Sequence, residues 1–562
     1  MIFGRGKLRL GGAHMHCTWR EIIGSGIFSV ILSISLVVGR VIDSYEYDGA
    51  VMPARKMLIL SIVISLLLFI PVLALMSFEI RENSKGSVRI NRRLRLTVFA
   101  VIWIGGFLAW LALFPGGYDY DAPVMIGQYV HPDILRTSHF PPLFTFPLHL
   151  IVSAGLAIFK DPSRAVAMYT IIQMTFVSIV TTRITLFVYS QLRSRRALIL
   201  SVLFFSIYPF HLLLQVSCVQ DTFFACWVAL FAIEALKFLR DKSCGRTAYI
   251  RLTAFGVLAA LSRNNGRYAL IAMLSIALLI FFVTKGSKYL KLVGTVLCVI
   301  LISTVISKFV FGAFYKNVDS YNEMLSIPSQ QLARVVIKEG YSLDKKDFAD
   351  IRKFYPTCDF QREYMPSIAD GIKGALDQKY FAEQKADYFS MWARIGKAHK
   401  RAYIEATALN TCGFWYPMKK YPDMRIFHPY IEYKISKYPD EPKYAKYMQA
   451  ERRSKFPMYE GVLRTVLQDN AWCKIPLLSF LFTMGTVFML YLYAWIKAIC
   501  RRRYEEFISL SLYAGIYVTL LLGPVAIYRY NYFAIMSLPV LFVMLHNVRR
   551  TDPMKKSRSH QG

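Results

Sequence analysis

The chain has 562 residues, of which 55% are hydrophobic and 15% aromatic. Apolar runs of about 18–25 residues recur along it, the length that a helix needs to cross about 30 Å of hydrocarbon. The composition therefore excludes a soluble globular protein and predicts an all-α polytopic membrane protein. A formal net charge of +32 would suit a nucleic-acid partner, but Lys and Arg cluster in short connections between apolar runs, without any nucleic-acid motif. We expect membrane lipids, and no nucleic acid, as partners.

The apolar runs predict about twelve spanning helices. Basic residues precede the first of them, which is typical of a cytoplasmic anchor rather than of a cleaved signal peptide. The predicted limits are 22–42, 57–78, 96–115, 164–189, 197–214, 220–239, 249–264, 266–284, 289–312, 475–497, 507–525 and 529–547.

The run 140–159 is also long enough to span, but charge argues against it. If it crosses the membrane, the later short basic connections fall outside the cell; if it lies at the outer surface, they all become cytoplasmic. We therefore predict an interfacial or re-entrant helix over 140–159, opened by Pro141-Pro142 and broken by Pro147. Both termini are then cytoplasmic.

This topology divides the chain into five parts. They are 1–95 with two extra spanning helices, 96–312 with an acidic outer loop (116–139) and the interfacial helix, 313–474 as a mostly helical extracytoplasmic domain, 475–547 as the last spanning helices, and 548–562 as a cytoplasmic tail. Cys358 and Cys412 lie in the outer domain, where an oxidising environment would allow a disulfide between them.

Polar residues gather at the outer ends of the predicted helices. Asp119 and Asp121 follow the third helix, and Asp221 opens the sixth. The junction of the seventh and eighth helices carries Arg263, Asn264, Asn265 and Arg267. The junction of the last two helices carries Arg529, flanked by Tyr528 and Tyr530. Plainer interpretations exist for each: solvated loop acids, a helix N-cap for Asp221, and arginines that reach for lipid headgroups. Acidic residues at a membrane edge are nevertheless costly unless they bind or catalyse.

Together these residues suit one kind of reaction. A carboxylate can deprotonate an acceptor hydroxyl, while Arg and Asn side chains hold and stabilise a departing phosphate. Aromatic side chains can cover a sugar face, although Trp415 also suits an interfacial anchor. The Asp119/Asp121 pair is alternatively a candidate site for a hard divalent cation, Mg²⁺ or Mn²⁺.

The order of these motifs resembles the GT-C superfamily of integral-membrane glycosyltransferases, which includes protein O-mannosyltransferases and bacterial aminoarabinose transferases. The motifs that carry the resemblance are Asp119 with Asp121, Pro141-Pro142-Leu143, Asp221 and Arg529-Tyr530. A bacterial multi-pass group within the superfamily is similar at Asp121-x6-Gln128, Gln220 to Ala225, Arg263 to Gly266 and Phe414 to Pro417. The resemblance covers roughly 95–310 well and the C-terminal helices loosely.

The resemblance implies a bacterial enzyme of the plasma (inner) membrane that takes a sugar from a polyprenyl-phosphate donor, with inversion, to a glycan, lipid or protein acceptor at the outer face. Asp121 matches the catalytic loop carboxylate best, with Asp119 as its partner and Asp221 as the second outer acid. The expected donor-phosphate ligands are Arg529, Arg263, Arg267, Asn264 and Tyr530, and the expected substrate contacts are Gln128, His139 and Trp415.

Two departures from the superfamily leave the metal question and the choice of base between Asp119 and Asp121 open. Two helices precede the one that leads into the acidic loop, and the loop lacks the adjacent Asp-Glu of the mannosyltransferases. The rival functions are a transporter or flippase of lipid-linked sugars, a polysaccharide polymerase or ligase, and an adaptor that binds a protein partner through 313–474.

Overall fold

Almost every element of the protein is a helix. A computed structural model describes residues 6–10, 13–48, 53–78, 90–118, 121–130, 136–241, 245–316, 321–419, 450–467 and 471–546. In the first part of the chain the helices are α1 Trp19–Asp48, α2 Ala54–Ser77, α3 Arg92–Ala112, α4 Asp121–Val130, α5 Pro142–Phe159, α6 Pro162–Leu192, α7 Arg195–Ile207, α8 Pro209–Leu214, α9 Gln220–Arg240, α10 Arg246–Ser262, α11 Asn264–Thr284 and α12 Ser287–Val305, which a π-helical turn extends over Ile306–Phe311.

The remaining helices form a domain and a C-terminal group. The domain contains α13 Tyr321–Met324, α14 Ser326–Glu339, α15 Lys345–Phe354, α16 Phe360–Glu363, α17 Asp370–Gly374, α18 Gln378–Glu383, α19 Lys385–Ala398 and α20 Lys400–Trp415. The C-terminal group contains α21 Pro457–Leu467, α22 Pro476–Phe482, α23 Met484–Cys500, α24 Tyr504–Leu521, α25 Tyr532–Met536 and α26 Leu538–Leu545, with 3₁₀ turns at Gly340–Ser342, Ala471–Lys474 and Tyr528–Asn531.

The class expected from composition is confirmed: the protein is a helical, multi-pass membrane protein. Eight of the described helices are long and apolar enough to cross a membrane, namely α1, α2, α3, α5, α6, α9, α11 and α12. One local departure from an all-helical chain is an antiparallel hairpin near the start, in which β1 (Gly6–Leu10) pairs with β2 (Ala13–Cys17).

Several predicted spans differ from the helices observed. The run 197–214 is two helices, α7 and α8, because Pro209 has no N–H to continue the first. The run 475–497 is likewise divided into α22 and α23 at Thr483, whose hydroxyl accepts a hydrogen bond from the N–H of Thr486 at 3.2 Å and caps the second helix. Both breaks have local causes, a proline and a capping threonine, which hydropathy alone does not show.

The last predicted span, 529–547, also differs. It begins as the 3₁₀ turn Tyr528–Asn531 and continues as the two short helices α25 and α26, with Pro539 near the start of the second. The proline at 147 has the opposite outcome: α5 continues through it, so the break predicted there is wrong. Pro147 is the sixth residue of α5, where its missing N–H removes one backbone hydrogen bond without ending the helix.

Helix α9 lies at the centre of the bundle. Its apolar stretch is 83% buried, compared with 11% for α2, which therefore presents its sides to lipid. Helices α6, α10, α12, α24 and α25 pack around α9, and α1 and α2 pair with each other at the edge. The first turn of α9, which carries Asp221, is thereby held inside protein rather than at a lipid-facing surface.

The domain formed by α13–α20 has a hydrophobic core of its own, which contains Ile351, Phe354 and Tyr388. Its last helix, α20, packs against α1 and α23. The domain also bonds the connection after α24: the N–H of Ala369 donates to Pro524 O at 2.8 Å, and Asn410 Nδ2 donates to Gly523 O at 2.9 Å. The domain therefore binds the backbone that leads to Arg529.

The disulfide considered between Cys358 and Cys412 is not formed. Both residues are buried, Cys358 in the core of the domain and Cys412 in α20. Burial raises the pKa of the Cys358 thiol to about 11, so this side chain stays protonated and behaves as a small apolar group.

The domain core provides a stability test. Ile351→Ala removes a fully buried side chain and is expected to cost about 2–5 kcal/mol of local stability. The same change at Ile404, which is 70% exposed, should cost less than about 0.5 kcal/mol. Limited proteolysis of the detergent-solubilised, full-length variants would show faster cleavage within 321–415 for Ile351→Ala alone. Equal cleavage rates would contradict an independent core.

Candidate active site

Four charged side chains from distant parts of the chain meet at one end of the bundle. Asp121 begins α4, Asp221 lies in the first turn of α9, Arg263 is the extended residue between α10 and α11, and Arg529 lies in the Tyr528–Asn531 turn. Arg529 Nη1 donates to Asp121 Oδ2 at 2.8 Å, and Arg529 Nε lies 4.0 Å from Asp221 Oδ2. Arg263 Nη1 donates to Asp221 Oδ1. Carboxylate and guanidinium groups thus alternate from Asp121 to Arg263. We call these four residues the ion-pair chain.

The burial of the ion-pair chain argues against the plainer interpretations. The exposed fractions of the four side chains are 18% for Asp121, 17% for Arg529, 3% for Asp221 and 13% for Arg263. Solvated loop acids and arginines that reach for headgroups would be far more exposed. Asp221 is not the N-cap of α9 either, because Val219 occupies that position. Charges this buried need partners, and the alternation supplies them.

An aromatic ring lies beside both arginines. The centre of the Tyr530 ring is 4.6 Å from the guanidinium carbon of Arg263 and 5.3 Å from that of Arg529. At these distances the ring face attracts the cations, which holds both guanidinium groups near one side chain without neutralising them. Tyr530 therefore positions two cations side by side.

The two acids are brought together by paired loops. The N–H of Gly117 donates to Val216 O at 2.9 Å, and the N–H of Cys218 donates to Gly117 O at 2.7 Å, so the segment before α4 lies alongside the segment before α9. Gly116 allows this approach: its φ is +111°, and a Cβ there would lie 2.5 Å from both Thr170 Cγ2 and Val216 O. Only glycine suits such a position.

Side chains of helix α6 hydrogen-bond to the same two loops, a role that the sequence did not predict. Gln173 Nε2 donates to the carbonyl oxygens of Gln215, at 3.0 Å, and Ser217, at 2.8 Å. Thr170 Oγ1 donates to Pro115 O at 2.6 Å. Both side chains are buried in an apolar helix. Buried polar side chains in such a helix are themselves a signal, because they need partners within the protein.

The turn that carries Arg529 is anchored on both sides. The ring of Tyr528 stacks on Phe210 with 4.3 Å between ring centres, and Asn531 Oδ1 accepts from the Tyr517 hydroxyl at 2.7 Å. The hydroxyl of Tyr532 is 2.8 Å from His211 Nδ1. Arg529 thus lies in a turn whose neighbouring side chains are buried and hydrogen-bonded, which limits the movement of its backbone and not of its side chain.

The other predicted phosphate ligands lie at the start of α11. Arg267 is half-buried, and within the described part of the chain its Nε is a buried atom with no hydrogen-bond acceptor. Asn264 is exposed, whereas Asn265 Nδ2 donates to Thr519 Oγ1 at 2.8 Å. Arg267 and Asn264 therefore have polar groups available near Arg263, and Asn265 is committed to packing α11 against α24.

The predicted substrate contacts are placed differently. Gln128 is buried, and its Oε1 accepts from the N–H of Thr137 at 3.0 Å, so it links α4 to the segment before α5. His139 is exposed beside Phe140. Trp415 donates from Nε1 to Thr411 Oγ1 at 3.0 Å and packs against α1, α2 and α23 rather than against the ion-pair chain. Asp119 lies outside the described residues.

The donor atoms favour arginine over a metal as the counter-ion. One oxygen of Asp121 and one of Asp221 already accept from guanidinium groups, and a divalent cation beside them would be repelled by Arg529 and Arg263. Across the described ranges no group of three His, Cys, Asp or Glu side chains is arranged to hold an ion. No chemical step is therefore assigned to Mg²⁺ or Mn²⁺.

The close packing of the two loops can be tested with a pair of Gly→Ala variants. Gly116→Ala should destabilise the protein by about 1–3 kcal/mol, because the backbone there is left-handed and the methyl group meets Thr170. Gly294→Ala in α12, where a Cβ meets nothing within 4 Å, is the matched control. Thermal unfolding in detergent should show a lower midpoint for Gly116→Ala only; similar midpoints would contradict the loop packing described here.

Comparison with known proteins gives a family but no characterised relative. No curated protein and no solved structure matches the chain. The model of DUF6020, described as a family of unknown function, matches residues 130–560, which include Asp221, Arg263 and Arg529. Because the match covers well over half of the 562 residues, the chain belongs to the DUF6020 family.

Proposed function

We propose that this protein is a GT-C-type membrane glycosyltransferase, which transfers a sugar from a polyprenyl-phosphate donor to an acceptor hydroxyl at the outer face of a bacterial plasma membrane. The observation that carries the proposal is the ion-pair chain: two carboxylates and two arginines from four elements, brought together at the ends of apolar helices and largely shielded from solvent. In sugar transfer from a lipid phosphate, a carboxylate can accept the proton and guanidinium groups can stabilise the departing phosphate.

The proposed topology has twelve crossings and both termini in the cytoplasm, with several crossings interrupted, such as α7 with α8. Helix α5 is placed at the outer interface, although its length and composition would also allow it to span. Support for this placement comes from its two ends. Near the start of α5, Thr145 hydrogen-bonds to Tyr129, which in turn hydrogen-bonds to Tyr315 just after α12. The end of α5 is followed within three residues by the start of α6. Thr170 of α6 hydrogen-bonds to the carbonyl oxygen of Pro115, beside the ion-pair chain.

In the proposed reaction the acceptor hydroxyl gives its proton to the carboxylate of Asp121. The acceptor oxygen forms a bond to the anomeric carbon, while the bond from that carbon to the phosphate oxygen breaks on the opposite side of the sugar. Polyprenyl phosphate leaves with the bonding electron pair, and Arg529 and Arg263 stabilise its added negative charge. This geometry inverts the anomeric configuration. Arg267 and Asn264 provide further N–H groups beside Arg263.

The pairing of Arg529 with Asp121 gives the reaction an order. Without donor, the 2.8 Å ion pair occupies the carboxylate. A donor phosphodiester carries one negative charge, as a carboxylate does, and binds guanidinium groups in the same geometry, so it competes with Asp121 for Arg529. When Arg529 turns to the phosphate, Asp121 becomes available to accept the proton. The acceptor could be a cell-envelope glycan, a lipid or a protein.

The second candidate function is a flippase for the same lipid-linked sugar. The interrupted helices α7–α8, α22–α23 and α25–α26 favour it, because transporters commonly bind substrate at broken helices. Such sites lie near the middle of the membrane, however, whereas the ion-pair chain lies where helices begin. Donor consumption by the purified protein supports the transferase, and donor movement between leaflets of proteoliposomes without consumption supports the flippase.

Asp121→Asn tests the proposed base. The amide keeps the size of the side chain but cannot accept the proton, so turnover should fall by about 10²–10⁴-fold in lipid while the protein stays folded. Asp161→Asn is the matched control, since Asp161 caps α6 through the N–H groups of Ser163 and Arg164, and Asn caps equally well. Full turnover of purified Asp121→Asn would rule out the base assignment.

Arg529→Ala tests the phosphate contact. Loss of a hydrogen bond between charged groups should raise the donor KM by about 10–100-fold. Arg464→Ala, at an exposed position of α21, is the control and should leave the donor KM unchanged. If the donor KM of Arg529→Ala equals that of the wild type, Arg529 has no part in donor binding, and its pairing with Asp121 serves the fold alone.

A further inference from the structure

A second charged cluster lies at the opposite end of α9. Glu234 is 2% exposed and accepts hydrogen bonds from three cations: Arg183 Nη2 at 2.9 Å, Lys237 Nζ at 3.1 Å and Arg251 Nε at 3.0 Å. These four residues, from α6, α9 and α10, are called the Glu234 cluster. It lies about 20 Å along α9 from Asp221, at 1.5 Å per residue, and so belongs to a different site.

The charges of the Glu234 cluster do not balance. One carboxylate faces three cations, which leaves two positive charges in excess, whereas acids and arginines alternate one to one in the ion-pair chain. One cation neutralises Glu234, and the other two fill the remaining lone pairs of its carboxylate, so their positive charges stay uncompensated. An anion that is absent from the protein itself would complete the balance.

The three cations also have unused hydrogen-bond donors directed away from the core. Their side chains are 41%, 42% and 45% exposed for Arg183, Lys237 and Arg251, and within the described residues each makes its polar contact to Glu234 alone. Aromatic rings support two of them: Phe255 lies 5.2 Å from the Arg183 guanidinium carbon and Phe187 lies 5.4 Å from Lys237 Nζ. Glu234 and the rings thus hold the cations in fixed positions.

The surroundings of the cluster face lipid near a membrane surface. Ile179, one turn from Arg183, is 55% exposed, and Ile250, next to Arg251, is 57% exposed. Glu234 lies about 9 Å before the end of α9, and Arg251 about 7 Å after the start of α10. Long basic side chains at this depth reach the level of the phospholipid phosphates.

We propose that Arg183, Lys237 and Arg251 form a binding site for the phosphate of an anionic phospholipid in the leaflet opposite the ion-pair chain. The two guanidinium groups provide paired N–H donors that match phosphate oxygens, and Lys237 adds a point charge. An anionic headgroup cancels the excess charge, and its acyl chains cover the exposed isoleucines. A zwitterionic lipid leaves the excess charge in place.

The test uses the full-length protein in a non-ionic detergent with phosphatidylglycerol or phosphatidylcholine, and counts bound lipid by native mass spectrometry. The wild type should retain phosphatidylglycerol preferentially. The double variant Arg183→Gln/Arg251→Gln should bind it about 30-fold more weakly, the effect of removing two basic side chains at a membrane surface. Arg195→Gln/Arg196→Gln removes the same charge from exposed positions at the same end of the bundle and is the matched control.

Three results would overturn the proposal: equal losses in the two double variants, equal retention of the two lipids by the wild type, or displacement of phosphatidylglycerol by inorganic phosphate at the same concentration. The last result would identify a free anion as the ligand. If Arg183→Gln/Arg251→Gln does not fold, the wild-type protein is labelled with a photo-activatable phosphatidylglycerol, and the labelled positions test the site. Labelling concentrated in α6, α9 and α10 near Glu234 supports the site, and labelling spread evenly over the helices contradicts it.

Discussion

The ion pair between Arg529 and Asp121 joins parts of the chain that are 408 residues apart. Each side chain stabilises the other at the end of an apolar bundle, because a charge withdrawn from water gains from a partner of opposite sign. Asp221 and Arg263 meet the same requirement next to them. The position of the last helices relative to the acidic loop therefore depends on charge neutralisation as well as on apolar packing.

Backbone geometry makes that neutralisation possible. The loops before α4 and α9 hydrogen-bond to each other at Gly117 and Cys218. The side chain of Gln173 on α6 donates hydrogen bonds to two carbonyl oxygens of the loop before α9. Both acids consequently begin or nearly begin their helices at the same depth, where the N-terminal ends of two helix dipoles favour negative charge. Arg529 then needs only a short, anchored turn to reach between them.

The α13–α20 domain contacts the segment that leads to the same turn. It binds Gly523 and Pro524, which precede Arg529 by a few residues, through Asn410 and the backbone of Ala369. The position of Arg529 therefore depends on the domain as well as on the membrane helices.

The sequence was sufficient for the class of the protein and for the residues of the ion-pair chain, because acids and arginines at the ends of apolar runs are rare and conspicuous. It was not sufficient for the broken helices, since hydropathy does not register a cap such as Thr483, and Tyr528 meets Phe210 only in the folded chain. Trp415 was placed with the substrate because its motif is aromatic, yet it packs on α1, α2 and α23. Gln173 and the Glu234 cluster were missed because single polar residues inside a helix have no pattern that links them before the helices pack.

The proposed reaction depends most on donor phosphate replacing Asp121 as the partner of Arg529. A structure of the full-length protein in lipid with polyprenyl phosphate bound would test this directly. We expect phosphate oxygens within about 3 Å of guanidinium nitrogens of Arg529 and Arg263, with Asp121 released from Arg529 and open to the acceptor side. Polyprenyl phosphate bound elsewhere, with the Asp121–Arg529 pair intact, would contradict it.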